Sequence, residues 1–270
     1  MRDMNAIVGD HDLLFVTLDT LRYDVAAGLL AAGRTPNLAR ALQGGVWERR
    51  HAPASFTYAA HHAFFAGFLP TPTTPGPHPR LFAAEFPGSE TAATGTWTFA
   101  EADLVTGLRA AGYHTVCVGG VGFFDHRSAL GSVLPSLFAE SHWRPEYGVT
   151  NPACFEEQLG CVAAIVPAVP ADRRMFLFVN VAAMHQPNRH YLPRAAADCL
   201  ESHAAALEYV DRHIARLFAL ATARGRPCFA IVCSDHGTAY GEDGHVGHRV
   251  GHEVVWTVPY ADFVLQPGRW

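Results

Sequence analysis

The sequence predicts an α/β fold: a three-layer sandwich whose mostly parallel central sheet is flanked by helices. Three observations predict it. Short apolar runs at 13–18 (LLFVTL), 114–118 (HTVCV), 175–181 (MFLFVNV) and 229–233 (FAIVC) lack polar alternation, as strands buried on both faces do. Helical patterns lie between these runs, which is the strand–helix order of a parallel sheet. Three runs end in polar residues, namely Asp19, His185 shortly after Val181, and Asp235-His236. Open α/β sheets bind ligands beyond the carboxyl ends of their strands.

In chain order, 13–18 is a buried strand. Thr35-Pro36-Asn37 opens a helix to about Leu42, with Thr35 as N-cap and Pro36 at the first helical position, and Gly44-Gly45 ends it. Residues 46–51 read as a second strand. Ser55-Phe56-Thr57 leads into a helical stretch over 61–65, closed by Gly67. Residues 68–88, rich in Pro, Thr and Gly, read as loop. Over 99–111, Leu104, Leu108 and Ala111 share a face, and Gly112 stops that helix before strand 114–118. Residues 119–152 read as irregular. A helix over 154–166 ends before Pro167. The clearest apolar stripe lies over 195–223: Leu200, Leu207, Val210, Ile214, Leu217 and Leu220. Strand 229–233 runs into Ser234-Asp235-His236-Gly237.

With 270 residues, 49% of them hydrophobic, the chain can bury one large core, and it reads as one domain over 1–270. A net charge of −5 without a Lys/Arg block argues against nucleic acid as a partner. No apolar run reaches the roughly 18 residues of a membrane span, so no membrane is expected, and 13–18 is too short for a signal peptide. The six cysteines form no C-x-x-C pair and read as buried free thiols of a cytoplasmic protein.

Chemistry concentrates in three places. In Asp235-His236-Gly237 a hard carboxylate stands beside an imidazole, a pair suited to zinc, manganese or iron; the plainer alternative is a capping Asp and a surface His. Glu242, Asp243, His245, His248 and His252 follow within about twenty residues, which favours a metal- or anion-binding loop. Asp19 fits either a ligand or a helix N-cap. Thr57, placed as the cap of a helix from about Ala59, sits where the helix dipole and free N–H groups favour an anion. It is a plain cap or, beside a cation, a nucleophile.

Taken in order, these segments resemble the alkaline phosphatase superfamily, most of all its sulfatase and phosphoethanolamine-transferase branches. VTLDTLRYD resembles the first metal-ligand strand of that family, and Thr35-Pro36-Asn37-Leu38 its TPNL helix start. Residues 57–67 resemble the nucleophile helix, with Thr57 on the nucleophile and His61 on the Arg or His four residues later. His185-Gln186-Pro187 resembles an H-x-P anion contact, residues 207–211 the helix that follows, and Ser234-Asp235-His236-Gly237 the second ligand segment. His248 lies 12 residues after His236 (248 − 236), where sulfatases place an anion-binding Lys. The departures are that Thr57 cannot become a formylglycine, Thr20 replaces a second acid, Ala59-Ala60 replaces Pro-Ser, and the usual C-terminal subdomain is expected to be missing.

The resemblance implies a metal-dependent hydrolase of a phosphate-type ester (phosphomonoester, phosphodiester or phosphonate ester). Asp19, Thr57, Asp235 and His236 would hold the metal, Zn2+ before Mn2+ or Ca2+, and the path runs through a phosphothreonine on Thr57. His185 and His248 would contact the anion or protonate the leaving group, with His61 a third candidate. Alternatively His185, His248 and His252 hold a second ion. A small anionic ester is the expected partner. A phosphotransferase or phosphomutase, a sulfate-ester hydrolase and a non-catalytic metal- or anion-binding protein are the alternatives.

Overall fold

The computed structural model describes residues 3–67 and 103–270. Its elements are β1 (Asp12–Leu18), α1 (Tyr23–Ala31), α2 (Pro36–Ala41), β2 (Glu48–His51), α3 (Thr57–Ala66), α4 (Leu104–Ala110), β3 (Tyr113–Val118), α5 (Ala129–Val133), β4 (Glu140–His142), α6 (Cys154–Ile165), β5 (Arg174–Val181), α7 (Leu200–Thr222), β6 (Cys228–Cys233), β7 (Ala239–Tyr240), β8 (Val246–Gly247), α8 (Glu253–Trp256) and β9 (Thr257–Leu265). Seven strands form one sheet in the order β2-β9-β6-β1-β5-β3-β4. The pairings among β4, β3, β5, β1 and β6 are parallel; β9 and β2 add on antiparallel. The expected mostly parallel α/β sandwich is the observed one.

The pleat of β1 sorts its side chains between two cores. Leu14, Val16 and Leu18 face one, packed with Val25 and Leu29 of α1, Leu38 of α2, Leu159 of α6 and Val210 and Ile214 of α7. Leu13 and Phe15 face the other, with Phe65 of α3, Leu108 of α4 and Phe176 and Phe178 of β5. Each fully buried Leu, Ile or Phe contributes roughly 1.5–3 kcal/mol relative to exposure, so the central strands are fixed by burial on both faces. Thr17 breaks the apolar run on the α3 side, where a polar site begins.

Thr35 is the N-cap residue of α2 and Pro36 its first residue, as expected; the capping bond and the place of Thr57 differ. Thr35 makes no side-chain capping bond; Asp211 of α7 reaches across instead, its Oδ1 accepting from Leu38 N at 2.8 Å and its Oδ2 from Asn37 N at 3.2 Å. Thr57 is not the cap of a helix starting near Ala59 but the first helical residue, after Phe56. Its hydroxyl is therefore free to point away from the helix end. Gly67 ends α3 with a left-handed φ of 77° that suits glycine.

Three expected elements shrink at their ends: strand 46–51 to β2, helix 195–223 to α7, and helix 99–111 to α4 within its described part. The stretch 119–152, expected to be irregular, holds α5 and β4. The loop assigned to 68–88 and the start of the helix expected over 99–111, residues 99–102, lie outside the described residues. No described helix is long and apolar enough to cross a membrane. All six cysteines are free.

Candidate metal centre

The centre is assembled by strand pairing. Thr17 of β1 is in register with Cys233 of β6, so two residues further on Asp19 and Asp235 leave the sheet side by side. Thr20 follows with φ 63°, a left-handed turn that aims its N–H at Asp235 Oδ1, 3.2 Å away. On the other side of β1, Asn180 of β5 donates to Asp19 Oδ2 at 3.2 Å and to Thr17 Oγ1 at 3.1 Å, while its Oδ1 accepts from Val121 N. Ligand atoms of Asp19, Asp235 and His236 all lie within 4.8 Å of one another, and all three residues are buried. Thr57, at the start of α3, brings its Oγ1 to 3.4 Å from Asp19 Oδ2 and 3.2 Å from His236 Nε2. Gly237 lets this turn close: a Cβ there would stand 2.0 Å from the Val254 carbonyl oxygen of α8.

The donor set fits a cation. Asp19 Oδ1 and Asp235 Oδ2 are buried without a hydrogen-bond partner, an arrangement that costs more than about 1–3 kcal/mol per charged oxygen unless an ion offsets it. Burial, and then the charge of Asp235, push the Asp19 carboxyl up to about 6. Burial pushes Asp235 up to about 7, against hydrogen bonds from backbone N–H groups that oppose it. Burial also lowers His236, keeping its ring neutral. His236 Nδ1 donates to the Gly237 carbonyl at 2.9 Å, which leaves the Nε2 lone pair directed at Thr57 and the two acids. Two carboxylates, a neutral imidazole and a hydroxyl suit a divalent cation such as zinc.

The family described as Sulfatase matches the sequence over residues 11–260, which spans every ligand just placed. The chain belongs to the sulfatase family. No curated protein matches it by sequence. Among solved structures it is similar to the soluble domain of lipooligosaccharide phosphoethanolamine transferase A from Neisseria meningitidis, with a TM-score of 0.66 at 16% identity, covering 95% of this chain and 77% of that one. It is also similar to the C-terminal periplasmic domain of phosphoethanolamine transferase EptC from Campylobacter jejuni, with a TM-score of 0.64 at 10% identity over 94% and 79% of the two chains. The corresponding EptC domain from Escherichia coli, in complex with zinc, gives a TM-score of 0.62 at 13% identity over 97% and 74%. At these identities the three share the fold.

The other histidines of this sulfatase-family site separate into two groups. His185 and His248 line a cavity of about 810 Å³ together with Thr57. Their rings are 5.2 Å apart, and His248 lies 4.7 Å from the His236 ring. His185 Nδ1 donates to the Gln186 carbonyl, leaving Nε2 for the cavity. Burial first, and then the neighbouring His236 and His185, lower His248 to about 3. His61 and His252 stay out of this group. His61 is fully buried beneath the centre, its Nδ1 donating to the Thr57 carbonyl at 2.7 Å and its Nε2 accepting from the Thr17 hydroxyl at 3.0 Å. Both nitrogens are committed, Phe124 and Phe178 pack against the ring, and burial lowers it to about 3, so it positions α3 rather than touching an anion. His252 caps α8 through Nδ1 and meets Asp243 through Nε2. Among the described residues one three-ligand cluster occurs, and a second built from His185, His248 and His252 does not.

Asn180 went unseen in the sequence; its signal was a lone amide inside MFLFVNV. The cavity wall also brings in Arg127 and Arg249, which no motif marked. Phe123 and Trp143 also line the cavity.

Proposed function

We propose that the chain hydrolyses a phosphate-type ester through a covalent phosphothreonine on Thr57, with Asp19, Asp235, His236 and the Thr57 oxygen holding one divalent cation. The observation that carries this is the Thr57 hydroxyl, set at a helix start within 3.4 Å of a carboxylate with an orphaned oxygen and 3.2 Å of a neutral imidazole nitrogen. Zinc is the preferred ion, supported by the donor set and by the zinc complex of the E. coli structure. Such an ion supplies charge that lowers the pKa of the hydroxyl and offsets the negative charge building on the phosphoryl oxygens. Thr57 Oγ forms its bond to phosphorus in line as the bond to the leaving oxygen breaks, and the hydroxyl proton goes to solvent. The leaving oxygen takes its proton from water in the cavity beside His185. Neutral His248 donates one N–H to a non-bridging oxygen. Water then cleaves the phosphothreonine and frees the anion.

The test is Thr57→Ala with metal content measured in parallel. Turnover of phosphomonoesters, diesters and phosphonate esters should disappear while the cation stays bound. The wild-type protein, quenched during turnover, should gain one phosphoryl group on Thr57. Undiminished activity in the alanine variant would refute the nucleophile. Phosphoryl transfer is the second reading, favoured by the likeness to the two transferases; transfer to an added alcohol beyond competition from water would select it. A sulfate ester as substrate would ask an unmodified threonine to replace a formylglycine, and a panel including sulfate esters decides that. The cytoplasmic location rests on six free thiols and is checked by fractionation.

A further inference from the structure

The cavity over Thr57 is chemically lopsided. Its volume of about 810 Å³ is that of a site for an organic molecule rather than for a bare phosphate. One wall is apolar: Val121, Phe123, Leu130, Trp143 and Val149. Two guanidinium groups, Arg127 and Arg249, reach the surface of the same cavity, and no Asp or Glu is among the described residues lining it. Asp19 and Asp235 lie beneath its floor, fully buried. Asp125, the acid closest in sequence to Arg127, is turned into its own loop, where Oδ1 accepts the backbone N–H of Arg127 at 2.8 Å.

Arg127 is held in place, and no carboxylate among the described residues pairs with its guanidinium. Trp143 is pinned by its indole N–H, which donates to the Gly120 carbonyl at 3.1 Å. The Arg127 guanidinium lies over that ring, 4.5 Å from its centre. Stacking fixes the direction of the plane but neutralises nothing, and it leaves the guanidinium N–H donors of this exposed arginine to water or to an anion that enters the cavity. Arg249 follows His248 beside the reacting group, its guanidinium 5.7 Å from the Phe56 ring. An ammonium leaving group would meet two positive charges here, no carboxylate among the described residues, and a tryptophan face already taken by a cation.

We infer that the substrate's leaving group joins a flat apolar body to a second negative charge, and that Arg127 is the specificity residue that recognises this charge. This rests on the phosphate-ester assignment and adds to it the class of ester: an anionic aryl or similarly planar phosphate, not an aminoalkyl one.

The experiment compares 4-carboxyphenyl phosphate, phenyl phosphate and phosphoethanolamine on the zinc-loaded protein. The matching phosphonates serve as binding probes by calorimetry. The carboxyphenyl ester should exceed phenyl phosphate about tenfold or more in kcat/KM, the effect of one hydrogen bond to a charged group, with phosphoethanolamine last. Arg127→Gln, an exposed position, should bring the carboxyphenyl-to-phenyl ratio down to about one or two, mainly through KM. Equal use of the two aryl esters, preference for phosphoethanolamine, or a ratio untouched by Arg127→Gln would overturn the inference. If no ester turns over, the binding arm still decides. Tighter binding of the carboxyphenyl phosphonate, lost in Arg127→Gln, would uphold the pocket while the hydrolase assignment fails. Equal binding of the phosphonates would sink the pocket whatever the turnover.

Discussion

At the residue scale, Thr57 and His61 occupy one turn of α3 and divide the labour. Thr57 turns its hydroxyl to the ligands, while His61 turns inward and ties the same turn to β1 through Thr17. Thr57→Ala should lower kcat by at least about a thousandfold with little change in stability, as expected for a nucleophile. His61→Ala has the opposite profile. It removes the acceptor of the Thr17 hydroxyl proton and a second donor to the Thr57 carbonyl and opens a void beside Phe124 and Phe178, so a loss of about 2–4 kcal/mol should appear in urea unfolding. The carboxyls set the pH behaviour. Asp19 and Asp235 are raised above the ordinary carboxylate value, to about 6 and about 7. In the metal-free protein they therefore favour folding while protonated, and that contribution fades as pH rises from about 4 to about 7. A cation competes with those protons, so its affinity should drop as pH falls below about 7. Zinc titrations monitored by calorimetry at pH 5.5 and 8 check the sign, and equal affinity at both values would contradict it.

At the element scale, the legible pieces were those whose burial leaves a plain pattern. β1, β3, β5 and β6 are apolar almost throughout because helices cover both faces, and α7 carries a stripe at helical spacing. β9 was illegible for a physical reason. Pro259 sits inside it, and a proline argues against a strand in a paired position. Yet its carbonyl still accepts from Ser234 N, and the alternation Pro259, Ala261, Phe263 and Leu265 is buried. α1 was missed because it holds Gly28 and has no side-chain cap at Arg22, so neither a start nor a stripe stood out. The capping of α2 could not be seen at all, because its acid is Asp211, 173 residues from Leu38. Asp211→Ala should cost about 1–3 kcal/mol, exposing two N–H donors at a buried helix end, where Asn would lose less; thermal melts of both variants test this.

At the scale of the whole molecule, the sheet order made the site predictable and the loops kept the pocket hidden. Asp19, His185 and Asp235-His236 could be placed together from sequence because β5, β1 and β6 end on the same side. Arg127 and Arg249 could not, since nothing local ties a loop arginine to a cavity. A single ligand cluster among the described residues predicts one tightly bound cation per chain, measured by elemental analysis after dialysis. At a hundredfold excess over its dissociation constant that ion should add about 2.7 kcal/mol of stability, visible as a rise in Tm. The ligands also lie far apart along the chain. Asp19 leaves the ribosome 216 positions before Asp235 (235 − 19), which at typical elongation rates is a wait of roughly 10–40 s. During that interval a nascent chain offers the ion only part of its ligand set, so zinc loading should wait until His236 has been made, and ribosome-arrested fragments stopping short of His236 should hold none.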